Sequence, residues 1–318
     1  MTPERSKTLY HRMLLIRRIE EALRQLFADG HVPGFVHLSI GQEAVPVGVS
    51  AHLRDSDTVS SNHRGHGHTI AKGVDPTAFF AEVLGRATGL CKGRGGSMHV
   101  ADLSKGMLGA NGIVGAGLPI TTGSALALKI RGQGDIAVVY FGDGALAEGV
   151  LHECLNIAAL WSLPMLFVCE NNGWSEFSPT ANQVSFTLQA LTKAYGIRYA
   201  AVDGNVVAEV EEGAGKLIGR MRKTPAPAVI ECATTRVRGH FEGDRQDYRD
   251  AEEVAGLDAR DPLRLAREAM RDVEAAWFDR ITQEVDAEVA TAVAAAKEAP
   301  LPDVADITAD VYTVEARA

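Results

Sequence analysis

The sequence predicts an α/β fold, in which a mostly parallel sheet is flanked by helices. Apolar runs of strand length alternate with amphipathic segments of helical length, which is typical of βαβ units. Of the 318 residues, 46% are hydrophobic and 23% are charged, as in globular proteins. We find no linker or internal repeat, and therefore predict a single domain over residues 1–318.

The elements of this fold are predicted in order along the chain. Thr2-Pro3-Glu4 is a helix-capping sequence, and apolar residues at helical spacing follow it, so an N-terminal helix is expected at about residues 3–29. Strands are expected at 136–141, 165–169 and 228–234, and helices at 144–161, near 206–222 and from Asp261-Pro262 onwards. Residues from about 262 to 318 would form a C-terminal helical tail.

Composition excludes several classes of protein. A net charge of −9 argues against a nucleic-acid partner, because binding to phosphates needs a basic surface. No apolar run is long enough to span a membrane, and the N-terminus lacks a secretory signal, so a cytoplasmic protein is expected. The four cysteines have no metal-site spacing and are expected to be reduced core residues: Cys91, Cys154, Cys169 and Cys232.

The segment 93–123 is unusually rich in glycine. Dense glycine is typical of backbone that approaches a ligand closely, and the alternative is a long flexible loop. A dinucleotide-binding motif is not supported at 112–123, because Ile120 stands where the third glycine of that motif would be.

Two predicted strands run directly into short polar residues, Gly142-Asp143-Gly144 and Asn171-Asn172. In a parallel sheet both would leave by the same edge, where Asp143 and Asn172 could hold Mg²⁺ or Ca²⁺ together with phosphate oxygens. Gly142 and Gly144 would let the turn approach a diphosphate. The alternative is an ordinary turn with Asp143 as a helix cap.

The spacing of these two motifs resembles the thiamine diphosphate fingerprint. With 61-SNHRGHGHTIAKG-73, 93-GRGGSMHVADLSKGMLGANGIVGAGLP-119 and 234-TTRVRGHFEGDRQDYR-249, most of the chain resembles the alpha subunit of the thiamine diphosphate-dependent dehydrogenase component of 2-oxo acid dehydrogenase complexes. The motif GHFEGD is closest to the acetoin dehydrogenase branch. The resemblance implies a thiamine diphosphate-binding fold, with thiamine diphosphate and Mg²⁺ as cofactors.

The resemblance also implies a set of site residues. The metal ligands would be Asp143, Asn172 and the main-chain carbonyl of Trp174. Catalytic roles near the reacting carbon would fall to His66 and His240, and Arg236 would order the loop that carries His240. The other cofactor-binding residues would be His63, at a position often Tyr in relatives, Arg64, Gly112, Val114, Gly142, Gly144 and Ala145.

A zinc site at His63, His66 and His68 is a further alternative. It is disfavoured because Arg64 lies among these histidines and would repel a cation.

The function implied is that of the alpha subunit of an acetoin dehydrogenase. It would cleave acetoin to acetaldehyde and a cofactor-bound hydroxyethyl unit, which passes oxidatively to the lipoyl group of an acyltransferase. The alternatives are a pyruvate or branched-chain 2-oxo acid dehydrogenase alpha subunit and a catalytically silent binding module. The resemblance also implies that a second domain, whose glutamate activates the thiazolium ring, lies on a separate beta subunit, so activity would need an α₂β₂ heterotetramer.

The charge of the substrate distinguishes an acetoin dehydrogenase from a 2-oxo acid dehydrogenase. A 2-oxo acid gains from a cation that binds its carboxylate, whereas neutral acetoin does not need one. A cavity without a spare arginine or lysine would therefore favour acetoin.

Overall fold

A computed structural model describes residues 1–306 of the chain. Its strands are β1 (Thr58–Ser60), β2 (Met107–Gly109), β3 (Ala137–Gly142), β4 (Met165–Asn171), β5 (Trp174–Ser175), β6 (Ser178–Pro179), β7 (Arg198–Asp203) and β8 (Ala228–Ala233). Its α-helices are α1 (Pro3–Ala28), α2 (Ala44–Ser50), α3 (His66–Ala71), α4 (Pro76–Val83), α5 (Gly117–Arg131), α6 (Gly149–Leu160), α7 (Leu188–Ala194), α8 (Val207–Lys223), α9 (Ala251–Gly256), α10 (Pro262–Ala269) and α11 (Ala275–Glu298).

Six strands form one parallel sheet in the order β2-β1-β3-β4-β8-β7, and β5 and β6 form a separate antiparallel pair. In the centre of the sheet, Gly142 of β3 is in register with Glu170 of β4. All six strands run in one direction, so their carboxyl ends lie at one edge. The predicted α/β fold with a mostly parallel sheet is confirmed.

Side chains of the central strands alternate between two apolar clusters, one on each face of the sheet. Val138 and Tyr140 of β3 belong to the larger cluster, which includes residues of α1, α2, α4, α8 and α11. Val139 and Phe141 belong to the smaller one, which includes residues of α5, α6 and α7. Because successive side chains of a strand point to opposite faces, a strand buried on both sides must be apolar throughout.

The predicted elements agree with the structure in most places. The helix at 3–29 is α1, which is capped by the Thr2 side chain, and the strands at 136–141, 165–169 and 228–234 are β3, β4 and β8. The helix near 206–222 is α8, and Asp261 caps α10. The C-terminal tail consists of α10 and α11 as far as it is described, and residues 307–318 lie outside the described residues.

Two predictions about local structure are wrong. The helix expected from residue 144 begins at Gly149, because residues Asp143–Ala147 form a 3-10 turn instead. Cys91 is only half-buried, whereas the other three cysteines are buried; all four are free thiols. The glycine-rich segment 93–123 contains β2 and the first turns of α5, so the alternative of one long loop does not hold.

In the described part of the chain, no helix is both long and apolar enough to cross a membrane. The prediction of a single domain over 1–318 stays a prediction.

Asp57 links the amino-terminal ends of β1 and β3 to the carboxyl-terminal end of α8. Its carboxylate is fully buried and accepts hydrogen bonds from the Arg54 and Ile136 amides at 2.6 and 2.9 Å. It also forms a two-pronged ion pair with the Arg222 guanidinium, at 3.0 and 2.5 Å. Removal of one partner of a buried pair leaves an uncompensated charge.

We therefore expect Asp57→Ala to lower the free energy of unfolding by about 3–5 kcal/mol, measured by urea unfolding of the purified protein. Glu212→Ala is the matched control, because Glu212 pairs with Lys216 on an exposed face of α8 and should change the stability far less. Equal effects of the two substitutions would contradict a structural role for the Asp57 pair.

Candidate active site

Five neighbouring strands, β2, β1, β3, β4 and β8, deliver polar residues to one cavity at their carboxyl ends. Sequence reasoning placed these residues by motif, and the parallel sheet explains why they meet. The cavity is lined by all but one of the predicted site residues: His63, Arg64, Gly112, Val114, Gly142, Asp143, Gly144, Ala145, Asn172, Trp174, Arg236 and His240. The exception is His66.

Asp143 and Asn172 lie side by side, as the pairing of β3 and β4 requires. Asp143 is 1% exposed, and its carboxylate accepts hydrogen bonds from the Asn172 amide at 3.3 Å and from the Thr180 hydroxyl. Burial raises the pKa of the Asp143 carboxyl, although these hydrogen bonds partly offset the effect. Both of these hydrogen bonds come from uncharged groups, so a bound cation would stabilise the charged form of Asp143.

Trp174 follows directly on these residues. Its amide donates a hydrogen bond to the side-chain oxygen of Asn172 at 3.1 Å, and its indole donates one to Glu253 at 2.9 Å. The tryptophan side chain is thus held by Glu253. A carboxylate, an amide oxygen and a main-chain carbonyl at one strand edge fit a hard divalent cation.

Two guanidinium groups are buried at the cavity without a carboxylate partner among the described residues. Arg64 is 5% exposed and donates to the main-chain oxygens of Leu38 and His240, at 2.5 and 2.9 Å. Arg236 is 2% exposed and donates to the Tyr248 hydroxyl at 2.8 Å, while its Nε has no partner. Burial, followed by the charge of Arg236, lowers the pKa of Arg64 to about 10.

A buried cation without a counter-ion is unfavourable, so this pair of arginines favours an anionic ligand. The cavity has space for one beside the 3-10 turn that begins at Asp143. A Cβ atom at Gly144 would lie 2.7 Å from the Ser175 hydroxyl oxygen, so only glycine lets the two segments approach so closely. The donor set, the arginines and the glycine fit a diphosphate bound through a metal.

Three imidazoles meet in the same cavity, and one of them was not predicted. The ring centroid of His37 lies 4.8 Å from that of His63 and 5.0 Å from that of His240. His37 precedes α2 in the stretch His37-Leu38-Ser39-Ile40, which carries no motif that would mark it in a single sequence. We call His37, His63 and His240 the histidine cluster.

The histidine cluster is uncharged near neutral pH. Burial, and then the charge of Arg64, lower the pKa of His37 to about 3 and that of His240 to about 4. The same causes hold the pKa of His63 well below its ordinary value.

His66 lies outside the cavity. It is 1% exposed on α3, its Nδ1 is 3.1 Å from a Glu20 carboxylate oxygen, and its Nε2 is 2.8 Å from the Ser97 hydroxyl. Burial would raise the pKa of Glu20, but His66 and hydrogen bonds from Ser39 lower it on balance. With both ring nitrogens bonded inside the protein, the geometry supports a positioning role for His66.

The structure does not support the alternative of a zinc site at His63, His66 and His68, because the ring nitrogens of His68, like those of His66, are bonded to other protein groups. His68 contacts the Ser61 hydroxyl at 2.6 Å and the Glu170 carboxylate at 3.2 Å, and its ring stacks on Tyr140. His66 and His68 therefore bond to different groups, and His63 lies apart from both in the cavity lining.

The loop that carries His240 is held by polar contacts. Asp244 accepts hydrogen bonds from the His240 amide at 2.7 Å and from the Tyr248 hydroxyl at 2.6 Å. Tyr248 in turn contacts Arg236, and Arg249 donates to the main-chain oxygen of Arg236 at 2.8 Å. This network supports the predicted role of Arg236 in ordering the loop.

Comparisons with known proteins identify the family of this chain. A family model described as dehydrogenase E1 component matches residues 11–305. The chain is 44% identical over 315 residues to the alpha subunit of acetoin:2,6-dichlorophenolindophenol oxidoreductase from Bacillus subtilis, an alignment that covers 98% of this chain and 95% of the relative.

Two further relatives differ in the substrate that their names give, acetoin for one and pyruvate for the other. The corresponding alpha subunit from Cupriavidus necator is 46% identical over 312 residues, with 96% of this chain and 93% of the relative covered. The pyruvate dehydrogenase E1 component subunit alpha from Rickettsia felis is 38% identical over 304 residues, with 94% and 93% covered.

The low pKa of His37 predicts a pH effect on stability. An unfolded histidine binds a proton near pH 6.5, whereas folded His37 stays neutral down to about pH 3. Below pH 6.5 the unfolded state therefore binds more protons, and the free energy of unfolding falls as the pH falls.

We expect the stability advantage of the wild type over His37→Gln to shrink by about 2 kcal/mol between pH 7 and pH 5. Urea unfolding of both proteins at the two pH values measures this difference. Parallel pH profiles for the two proteins would show that His37 titrates normally.

Proposed function

This chain belongs to the dehydrogenase E1 component family, and from that premise we propose that it is the alpha subunit of a thiamine diphosphate-dependent acetoin dehydrogenase. The family resemblance predicted from the motifs is confirmed, as is the prediction of a dehydrogenase. The observation that carries the cofactor proposal is the pair of buried arginines, which have no carboxylate partner among residues 1–306 and share a cavity with Asp143 and Asn172.

The cofactor would be held by groups already described. Asp143, Asn172 and the Trp174 carbonyl would bind Mg²⁺, and Arg64 would neutralise the diphosphate. Gly144 and Ala145 would approach the diphosphate, and Gly112 and Val114 the aminopyrimidine. When bound, thiamine diphosphate supplies a carbon that adds to a carbonyl and accepts the electrons of the broken carbon–carbon bond.

The side chains of this protein would orient the reactants and transfer protons. His240 lines the cavity and is neutral, so it would act as a general base or hydrogen-bond donor near the reacting carbon. An anion bound to Arg64 and Arg236 would remove part of the charge that depresses the pKa of His240, bringing it closer to neutral pH. His66 would hold Glu20 and Ser97 in place and would not touch the substrate.

Acetoin is favoured as substrate by the charge of the cavity. Among the described residues, Arg64 and Arg236 are its cationic side chains, and we assign both to the diphosphate, with Arg236 also ordering the loop that carries His240. No third arginine or lysine of the described chain lines the cavity to bind a carboxylate. The relatives that act on acetoin are also more similar to this chain than the pyruvate dehydrogenase relative.

A beta subunit would complete the active site in an α₂β₂ heterotetramer. Ile113 and Val114 line the cavity and are 73% and 47% exposed, which supports an apolar partner surface at its entrance. A lipoyl acyltransferase of a multienzyme complex would accept the two-carbon unit. The free thiols support a reducing, cytoplasmic location.

We expect Asp143→Ala to weaken Mg²⁺-dependent binding of thiamine diphosphate by more than about a hundredfold, because it removes the charged metal ligand. Arg64→Ala should weaken it less, roughly tenfold, since the metal still neutralises part of the diphosphate. Calorimetry on the complex with the beta subunit measures both, with Asp279→Ala on the exposed face of α11 as the control. Unchanged affinity in both variants would place the anion site elsewhere.

The substrate is tested on the complex of this chain with its beta subunit. We expect a higher kcat/KM for acetoin than for pyruvate or branched 2-oxo acids in a dye-reduction assay, and no turnover by the purified chain alone. A higher value for pyruvate would establish the alternative, a 2-oxo acid dehydrogenase alpha subunit, without changing the cofactor assignment. Turnover without a beta subunit would contradict the proposed assembly.

A further inference from the structure

One buried carboxylate holds the loop at the start of the glycine-rich segment. Glu82 lies in the last turn of α4 and is 0% exposed, and its side chain accepts four hydrogen bonds from main-chain amides of residues 91–96. The donors divide between its two oxygens, with Cys91 and Gly93 at 2.7 and 2.9 Å on one, and Gly95 and Gly96 at 2.6 and 3.1 Å on the other. The loop is thus wrapped around a single side chain.

The contacts require a carboxylate at this position. Each oxygen of Glu82 serves two amides, and a glutamine of the same size would replace one oxygen by a nitrogen, which only donates. Two main-chain amides would then lose their acceptor. A Cβ atom at Gly95 would lie 2.6 Å from the His99 carbonyl oxygen and 3.2 Å from the Glu82 side chain, so the loop closes only with glycine there.

The loop leads directly to the wall of the cavity. Ser97 follows it and lies 2.8 Å from Nε2 of His66, and the next residue, Met98, lines the cavity. A Cβ atom at Gly112 would lie 3.7 Å from the Met98 sulfur, in ordinary van der Waals contact. Met98 and Gly112 therefore lie against each other in the cavity lining.

This wall is separate from the groups that would bind Mg²⁺ and the diphosphate. In the described part of the chain, the side-chain hydrogen bonds of Glu82 go to the loop 91–96, and none goes to Arg64, Asp143 or Asn172. A change at Glu82 should therefore act on one side of the cavity only.

Resting on the proposed function, we propose that Glu82 is a positioning residue for the thiamine half of the cofactor. Through the loop 91–96 it holds Met98 against Gly112, on the side of the cavity that would receive the aminopyrimidine. Glu82 itself would touch neither cofactor nor substrate. Loss of its carboxylate would weaken binding of the aminopyrimidine and leave the site for Mg²⁺ and diphosphate in place.

The test compares two ligands on the complex with the beta subunit. Thiamine diphosphate needs both halves of the site, whereas inorganic pyrophosphate with Mg²⁺ needs only the diphosphate half. Calorimetry measures both affinities, and hydrogen exchange followed by mass spectrometry measures the order of the amides at 91–96.

The variant is Glu82→Gln, and Asp75→Ala is its matched control. Asp75 caps the opposite end of α4 by accepting a hydrogen bond from the Ala78 amide at 2.9 Å, so its loss destabilises the same helix from the other end. The control therefore separates a general loss of stability from a loss of loop position.

We expect Glu82→Gln to weaken thiamine diphosphate binding about tenfold, to leave pyrophosphate within about twofold, and to speed exchange at 91–96 at least about tenfold. Asp75→Ala should leave all three within about twofold. Equal weakening of both ligands would overturn the proposal, since Glu82 would then support the whole site. Faster exchange with unchanged affinity for thiamine diphosphate would overturn it as well.

Gly95→Ala is a second variant in case Glu82→Gln does not fold, as judged by near-ultraviolet circular dichroism. It disturbs the same loop with Glu82 in place, and the same pattern of affinities and exchange is expected. Failure of the proposed function has a different signature, because the wild-type complex would then lack affinity for thiamine diphosphate.

Discussion

The parallel arrangement of five neighbouring strands is the constraint on which the site depends. Since β2, β1, β3, β4 and β8 run in one direction, the residues that follow them meet at one edge, although they are far apart in sequence. The central strands of the sheet are buried on both faces. The Arg64 guanidinium can be buried beside them because it donates hydrogen bonds to the main-chain oxygens of Leu38 and His240.

Burial leaves charged side chains in the cavity without ion-pair partners among the described residues. The guanidinium groups of Arg64 and Arg236 have no carboxylate partner among the described residues, while burial raises the pKa of Asp143. A diphosphate bound with a divalent cation would neutralise both sets of buried charge. The diphosphate would pair with the arginines, and the cation would pair with the Asp143 carboxylate. Neither charge alone would suit the site. The unpaired buried charges are therefore unfavourable without a ligand, and a bound metal–diphosphate would stabilise them.

The sequence predicted the site unevenly, for physical reasons. Asp143 and Asn172 could be placed because β3 and β4 are long apolar runs that end in recognisable polar turns. The strands β1 and β2 have only three residues each, too short for a periodic signal, so Arg64 and Gly112 were placed through family resemblance alone. His37 was not predicted to line the cavity. His66 was expected near the reacting carbon, but its burial against Glu20, a residue distant in sequence, places it outside the cavity lining. Such long-range contacts leave no local pattern.

The arginines also connect cofactor binding with substrate polarity. Burial, and then the charge of Arg64, lower the pKa of the imidazoles in the histidine cluster, so these rings are uncharged and cannot serve as cations for a substrate carboxylate. A pocket for a 2-oxo acid would need a further positive group, which the described lining does not contain. Neutral imidazoles retain their capacity to donate and accept hydrogen bonds, and this capacity suits hydroxyl and carbonyl groups. One pair of buried charges would therefore serve both to hold the diphosphate and to favour an uncharged ketone beside it.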